Sequence, residues 1–185
     1  MRRLFIVIGM LGALGTLPGS TLRQLSLDDM IRQSTLIIHG TVQPANVMYH
    51  GSMIFSHYVI QVTETYKSPA SASSQLPSQI DFGVPGGSLN GIIQRVAGAP
   101  ILSVGQDYVL FLWTSKSGLT QVTGLSQGLF SVISSPGAAA MVVRAAAAQT
   151  MLNSGGQPVN SNDISMPLSA LKTEIVNVLS GQSAQ

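Results

Sequence analysis

A run of six consecutive apolar residues, Tyr108–Trp113, constrains the fold of this chain more than any other segment. It follows the turn-forming residues Gly105, Gln106 and Asp107. Both alternating faces of the run are apolar, which is typical of a strand that is covered on both sides. We therefore expect this segment to lie at the centre of the core.

Two longer segments upstream have the alternating pattern of strands with one polar face. Leu36–Val47 and Ile54–Tyr66 place apolar and polar residues at alternate positions. Their apolar faces coincide if a three-residue loop at residues 49–51 joins them, which pairs Ile38 with Val62. We therefore predict a hairpin with this register.

Shorter segments complete the β-structure. The break at Pro85-Gly86-Gly87 opens a long excursion to Pro100, under which we expect Ile92, Ile93 and Val96 to be buried. Residues 139–148 are compatible with a helix by their alanine content, but their position after a turn favours a strand. The pattern predicts strands at residues 79–84, 119–123, 128–133 and 140–145, and a loop at residues 153–165.

Two helices are predicted, one before and one after the strands. Ser26 and Asp29 have the spacing of a capping box at the start of a helix over residues 27–34. After Pro167, apolar residues recur at helical spacing, and Gly181 is a typical terminating residue.

The order of these elements predicts the fold class. We expect a mostly β protein, a small OB-like, partly open barrel of five or six strands with an N-terminal and a C-terminal helix. A β-sandwich is the alternative. The predicted organisation is a signal peptide at residues 1–20, a barrel domain at residues 21–150, and a loop with the C-terminal helix at residues 151–185.

The first residues have the composition of a secretory signal peptide. Arg2 and Arg3 precede the apolar run Leu4–Leu14, and small residues follow it. This run is shorter than the ~20 residues that a membrane-spanning helix needs. We therefore expect the mature protein to be secreted or periplasmic.

The composition excludes several classes of function. Only 9% of the residues are charged, and the net charge of +2 equals the contribution of Arg2 and Arg3. Lys and Arg are scattered singly, whereas nucleic-acid binding requires clusters of them. The chain has no cysteine, which excludes a thiol nucleophile, a disulfide and a cysteine-based zinc site. No membrane contact is expected after the leader is removed.

Five segments carry a resemblance to a family of uncharacterised exported bacterial β-barrel proteins. They are Ser34–Val42, Pro85–Gly87, Val96–Pro100, Gly105–Leu112 and Val122–Phe130. The likeness covers about residues 25–135. Domains of that family occur beside matrixin-type metallopeptidases, and the resemblance implies no established activity.

A more distant resemblance is to the netrin-like modules and tissue inhibitors of metalloproteinases, which have OB barrels. The shared features are a helix before the first strand, Lys67 at the end of the second long strand, and a late Gly-x-x-Tyr-x-Leu-Phe strand. Those inhibitors chelate the protease zinc through an N-terminal cysteine. That mechanism does not carry over, because this chain has no cysteine.

The histidines are the first candidates for chemistry. In the predicted register, His57 lies opposite Gln43. His39 lies four positions before Gln43 on the same strand, which is roughly 13 Å at ~3.3 Å per residue. His50 would lie at the loop tip. A shared metal requires ligand atoms ~2 Å from one ion. We therefore expect no joint site, with His39 and His57 on a polar surface.

The other candidates are also interpreted as structural. Asp28 and Asp29 have the position of helix N-terminal residues, and Asp107 that of a turn residue. Asn160, Asn162 and Asp163 lack the remaining ligands of a calcium loop. Residues 83–87 lack the end of a phosphate loop. Most aromatic residues should be in the core, with Trp113 capping the barrel. We predict no catalytic, cofactor-binding or metal-binding residue.

The function expected from these observations is that of a non-catalytic exported module. Its partner would be another exported protein or a peptide. The expected contact surface is the polar face of the two long strands together with the Pro85–Pro100 excursion. The alternative is an accessory or inhibitor-like regulator of an exported metallopeptidase. An enzyme would need a cleft where His39 or His57 meets a carboxylate.

Overall fold

The computed structural model describes residues 21–69 and 77–181 and is mostly β. The predicted signal peptide at residues 1–20 lies outside the described residues. The strands are β1 (Thr21–Arg23), β2 (Leu36–His50), β3 (Met53–Lys67), β4 (Gln79–Pro85), β5 (Gly87–Leu89), β6 (Ile92–Gln94), β7 (Asp107–Thr114), β8 (Thr120–Val122), β9 (Leu129–Ile133), β10 (Met141–Arg144), β11 (Thr150–Leu152), β12 (Pro158–Val159) and β13 (Ile164–Pro167). The helices are α1 (Leu27–Gln33) and α2 (Leu168–Leu179), and Leu125–Gly128 forms one 3₁₀ turn.

Five of these strands form a closed barrel. The ring runs β2-β3-β4-β8-β7 and closes where β7 pairs with β2. Every pair in the ring is antiparallel except β4 with β8, which is parallel at Gly83 and Gln121. If the five barrel strands are numbered 1 to 5 along the chain, their order around the ring is 1-2-3-5-4. The prediction of a small OB-like barrel with two flanking helices is confirmed, and the ring is closed where a partly open one was expected.

The predicted register of the long hairpin is wrong. Gly51 and Ser52 form a two-residue turn, with Gly51 at a φ of +62°, so that His50 pairs with Met53. Farther from the turn, residues 44–45 stand opposite the single residue Tyr58, which is a β-bulge. Pro44 has no N–H to donate to a ladder, which suits it to a bulge. Sequence alternation alone did not reveal the extra residue.

The expected central position of Tyr108–Trp113 is confirmed for most of the run. Leu110 and Leu112 point into the barrel, whereas Val109 and Phe111 point outward to a second core. This second core lies beneath the helices, where Met30, Ile31, Leu171, Ile175 and Val178 cover the outer wall of the barrel. A strand that serves two cores has to be apolar on both faces, which explains the pattern.

Both helices form where they were predicted, and specific contacts stabilise the two ends of α1. The side chain of Ser26 accepts from the N–H of Asp29, and the Asp29 carboxylate accepts from the N–H of Ser26, which completes the capping box. Lys67 at the end of β3 donates from Nζ to the carbonyl oxygen of Ile31, 2.7 Å away, in the last turn of α1. The capping box closes the first turn of α1, and Lys67 joins its last turn to strand β3.

Three further predictions are wrong. Ile92 and Ile93 are 55% and 67% exposed, because they lie in the separate hairpin β5–β6 and not beneath the excursion. Trp113 is 38% exposed at the outer end of β7 and does not cap the barrel. The expected loop at residues 153–165 contains β12 and the start of β13, which pairs with β10.

Candidate functional site

The histidine cluster, which we define as His50, His57 and Asp81, lies on the outer wall of the barrel. Nδ1 of His57 lies 2.7 Å from Oδ1 of Asp81, and Nε2 of His57 lies 2.8 Å from Nε2 of His50. A neutral ring that donates from Nδ1 accepts at Nε2, so His50 supplies the proton of the second bond. The cluster is a chain of two hydrogen bonds that runs from a carboxylate to a second imidazole.

The strands explain why these residues meet. His57 pairs with Asn46 on β2 and with Gly83 on β4, and Asp81 lies two residues before Gly83 on the same face. The two-residue turn places His50 on that face as well, since it pairs with Met53 and alternate residues share a face. The register that the sequence analysis missed therefore creates the cluster.

Gly83 forms the floor beneath His57. A Cβ added to Gly83 would lie 3.0 Å from Cδ1 of Leu119, 3.2 Å from Cδ1 of Phe55 and 3.7 Å from Cε1 of His57. The ring of Phe55 also meets His50 edge to face, with centroids 5.3 Å apart. His57 is 8% exposed, whereas His50 is exposed and the Asp81 side chain is 60% exposed.

The structure overturns the expectation that His57 is a surface residue remote from the other histidines. It joins His57 to His50 and to a carboxylate that the sequence analysis did not consider as its partner. His39 stays apart, since it pairs with Glu64 and Val109, and its Nε2 is buried without a hydrogen-bond partner.

Four other carboxylates have structural positions or contacts. Asp28 and Asp29 lie in the first turn of α1, as predicted. Asp107 begins β7 and accepts a hydrogen bond from the hydroxyl of Thr41. Asp163 accepts from the backbone N–H of Ala146, 2.6 Å away. Within residues 21–69 and 77–181, no group of three or more His, Cys, Asp or Glu side chains is placed to hold one metal ion.

A small polar network joins β3 to α2. Lys172 lies 2.5 Å from Oε2 of Glu64, and its hydrogen bond lowers the pKa of that carboxyl below its ordinary value. The hydroxyl of Tyr66 also donates to Glu64. Burial raises the pKa of the Tyr66 phenol well above its ordinary value, with a further contribution from the neighbouring charge of Glu64.

A second feature, which we call the edge groove, lies at the excursion after β4. It is an open cavity of about 360 Å³ lined by Ser56 and Tyr58 of β3 and by residues 84–87, 94–96 and 99–101. Arg95 is the only Asp, Glu, Lys, Arg or His among these lining residues. The groove coincides with one part of the surface that the sequence analysis singled out.

Gly86 and Gly87, both at positive φ, make the edge groove possible. Gly86 has a φ of +102°, and a Cβ there would lie 2.9 Å from the carbonyl oxygen of Gln94. The N–H of Gly86 donates to the carbonyl of Ile54, and the N–H of Ile54 donates to the side chain of Gln94. The glycines let the two walls approach, and these bonds hold them together.

Exposed apolar side chains lie close in sequence to the residues that line the edge groove, and one of them lines it. Ile92, Ile93 and Val104 are each more than half exposed, and Ile101 is 89% exposed. Ile101 also lines a second cavity of about 350 Å³, so it stands on a ridge between two depressions.

The sequence did carry a signal for the hairpin beside the groove. Asn90 and Gly91 have φ values of 51° and 77°, as a type I′ turn requires, and Asn-Gly is the most frequent pair for that turn. Asn90-Gly91 therefore marks a separate hairpin, whereas Ile92 and Ile93 were expected to be buried.

No family model matches the chain, and no curated protein is significantly similar to it. The family resemblances drawn from the sequence therefore stay predictions. Among the described helices, none is both long and apolar enough to cross a membrane.

Proposed function

We propose that the mature protein is a non-catalytic exported module that binds an extended segment of another exported protein. The segment lies along β6 and enters the edge groove. The observation that carries this proposal is a combination of three features: an apolar groove lined in part by the exposed Ile101, the exposed Ile92 and Ile93 in the strand that leads to it, and the free edge of that strand. Clustered exposed apolar residues are typical of interaction surfaces.

The edge of β6 offers backbone hydrogen bonds. In the described part of the chain, β6 pairs with β5 on one side and with no strand on the other. Leu89 and Ile92 flank the two-residue turn and form a hydrogen-bonded pair. Hydrogen-bonded and non-hydrogen-bonded pairs alternate along an antiparallel ladder, so the next pair, Ser88 and Ile93, is not hydrogen-bonded. The N–H and C=O of Ile93 therefore point away from β5. An extended peptide can pair with such an edge.

The groove determines the chemistry of the segment. Beyond Ile93 the chain continues through Gln94 to Arg95, so a strand added to β6 leads directly to the groove and its one cation. We expect an apolar side chain to fill the groove and an adjacent Asp or Glu to pair with Arg95. The low charge of the chain, 9% of residues, suits short-range contacts of this kind.

Selection from a phage-displayed library of short random peptides tests the proposal. We expect enrichment of peptides that combine large apolar residues with Asp or Glu. A synthetic copy of the enriched peptide should bind Arg95→Gln about tenfold more weakly, since a charge-assisted hydrogen bond contributes about 1.5 kcal/mol. Arg23→Gln, which changes an exposed arginine of β1, is the matched control and should bind normally.

A second pair of variants separates backbone pairing from side-chain contact. Ile93→Pro removes the outward N–H at a position where an edge strand tolerates proline, whereas Ile93→Val keeps it. We expect Ile93→Pro to lose binding and Ile93→Val to retain most of it. A library that yields no saturable binder, or a peptide that binds Ile93→Pro and Arg95→Gln as tightly as the wild type, would overturn the proposal.

A further inference from the structure

We propose that His50 and His57 form a binding site for a divalent late transition-metal ion, with Cu(II) bound most tightly. The site is separate from the edge groove and does not depend on the proposed function. Its two ligand atoms are the Nε2 atoms, which face each other at 2.8 Å in the metal-free chain. One proton lies between them, on Nε2 of His50. When the ion takes its place, this proton moves through solvent to Nδ1 of His50, so that both ligating rings are neutral.

The environment of His57 is that of a metal ligand. Its Nδ1 bonds to Asp81, which fixes the tautomer, orients the ring and leaves Nε2 available. A carboxylate behind a ligating imidazole is the usual outer partner of such a histidine and raises its basicity. Burial on Gly83 and Phe55 holds this ring in place.

His50 is the adjustable ligand. It is exposed and lies in the last position of β2, beside the turn at Gly51 and Ser52. A hydrogen bond lets the two rings face each other directly, whereas an ion needs both nitrogens ~2 Å away and at an angle. His50 has the space to tilt and open this angle while His57 stays fixed.

The donor set selects the metal. The chain has no cysteine, and imidazole nitrogen suits Cu(II), Ni(II) and Zn(II). No third protein ligand joins the two imidazoles among the described residues, so water completes the coordination. Zinc sites with high affinity use at least three protein ligands, whereas tetragonal Cu(II) accepts two nitrogens and waters. Cu(II) also heads the affinity order of the divalent series.

The test is titration of the untagged protein with Cu(II) and Zn(II) salts, followed by electron paramagnetic resonance of the copper form. We expect one Cu(II) per chain, weaker Zn(II) binding, and hyperfine splitting from two nitrogens. His50→Gln should remove one nitrogen from the spectrum and weaken binding. Asp81→Asn should weaken Cu(II) binding about 10–100-fold while both nitrogens stay in the spectrum.

His39→Gln is the matched control, because it changes the histidine outside the cluster and should leave affinity and spectrum unchanged. His57→Gln should also lose the site, but it alters a buried residue, so its fold is checked by circular dichroism. If His57→Gln unfolds, the His50→Gln variant still tests the proposal, because His50 is exposed and its substitution should leave the fold intact. Absence of saturable Cu(II) binding, or a His50→Gln spectrum identical to the wild type, would overturn the proposal.

Discussion

His57 of β3 pairs directly with Gly83 of β4, and the space left by the missing side chain of Gly83 is where His57, Phe55 and Leu119 meet. The position of a Cβ on Gly83 lies 3.0 Å from Leu119 and 3.2 Å from Phe55. A glycine in the middle of a barrel strand thus has a specific role, which is to let an imidazole be buried on the outer wall.

Gly83→Val should destabilise the protein and displace His57. Overpacking of this kind costs about 1–3 kcal/mol, because Leu119 and Phe55 have to move. Chemical denaturation measures the loss, and the Cu(II) titration measures the effect on the histidine cluster. Gly155→Ala is the control, since only the Asn153 side chain lies near it, at 3.3 Å. An unchanged denaturation midpoint for Gly83→Val would show that Phe55 and Leu119 are not packed closely around Gly83.

Comparison of helix α1 and strand β7 with the histidine cluster shows what the sequence could and could not predict. The capping box at Ser26 and the doubly apolar strand β7 depend on neighbouring residues, and both were predicted. The contact between His50 and His57 depends on the register of the long hairpin. The two-residue turn sets that register, and the bulge at residues 44–45 shifts the pairing beyond Asn46, so that the apolar faces of the two strands still coincide. The alternation of apolar residues does not reveal a bulge.

The edge groove was predicted in part. Pro85-Gly86-Gly87 correctly indicated a break and an excursion after β4. The exposure of Ile92 and Ile93 was missed because apolar residues were assumed to be buried, although Asn90-Gly91 marks a separate hairpin. A hairpin of two three-residue strands has no core of its own to bury them, so their exposure follows from its size.

Lys67 should contribute to stability through the end of α1. Its Nζ donates to the carbonyls of Ile31 and Arg32 at 2.7 and 3.1 Å, and its burial lowers the pKa of the ammonium group. Lys67→Met leaves these carbonyls without that donor, and we expect a loss of about 1–2 kcal/mol in chemical denaturation. Lys116→Met, at an exposed turn, should change stability by less than about 0.5 kcal/mol. Equal effects of the two substitutions would contradict this assignment.

Stability should fall at high pH because of Tyr66. Burial raises the pKa of its phenol in the folded state above its ordinary value, so the unfolded chain releases this proton first. The contribution of Tyr66 is complete below about pH 10 and declines above it, by at most about 1.4 kcal/mol per pH unit.

Unfolding free energies of Tyr66→Phe and the wild type between pH 9 and about pH 11 isolate this contribution. We expect the difference between the two proteins to change across that range. Tyr49→Phe, which alters an exposed phenol of β2, is the matched control. If the Tyr66→Phe curve runs parallel to the wild type, the phenol is not protected by the fold.

The turn of the β5–β6 hairpin should control peptide binding without controlling overall stability. Gly91 has a φ of +77° with no atom within 4 Å of an added Cβ, so Gly91→Ala introduces backbone strain of about 1 kcal/mol and no clash. We expect a severalfold loss of peptide affinity with little change in melting temperature. Gly137→Ala adds similar strain at a φ of +78° in another turn and should leave peptide affinity unchanged.

Amide hydrogen exchange at Ile93, with and without the peptide selected from the library, tests the binding proposal most directly. If the peptide adds a strand to β6, the N–H of Ile93 becomes hydrogen-bonded and its exchange slows at least about tenfold. Unchanged exchange at Ile93 under saturating peptide, or protection at the edge strand β13 instead, would contradict the account.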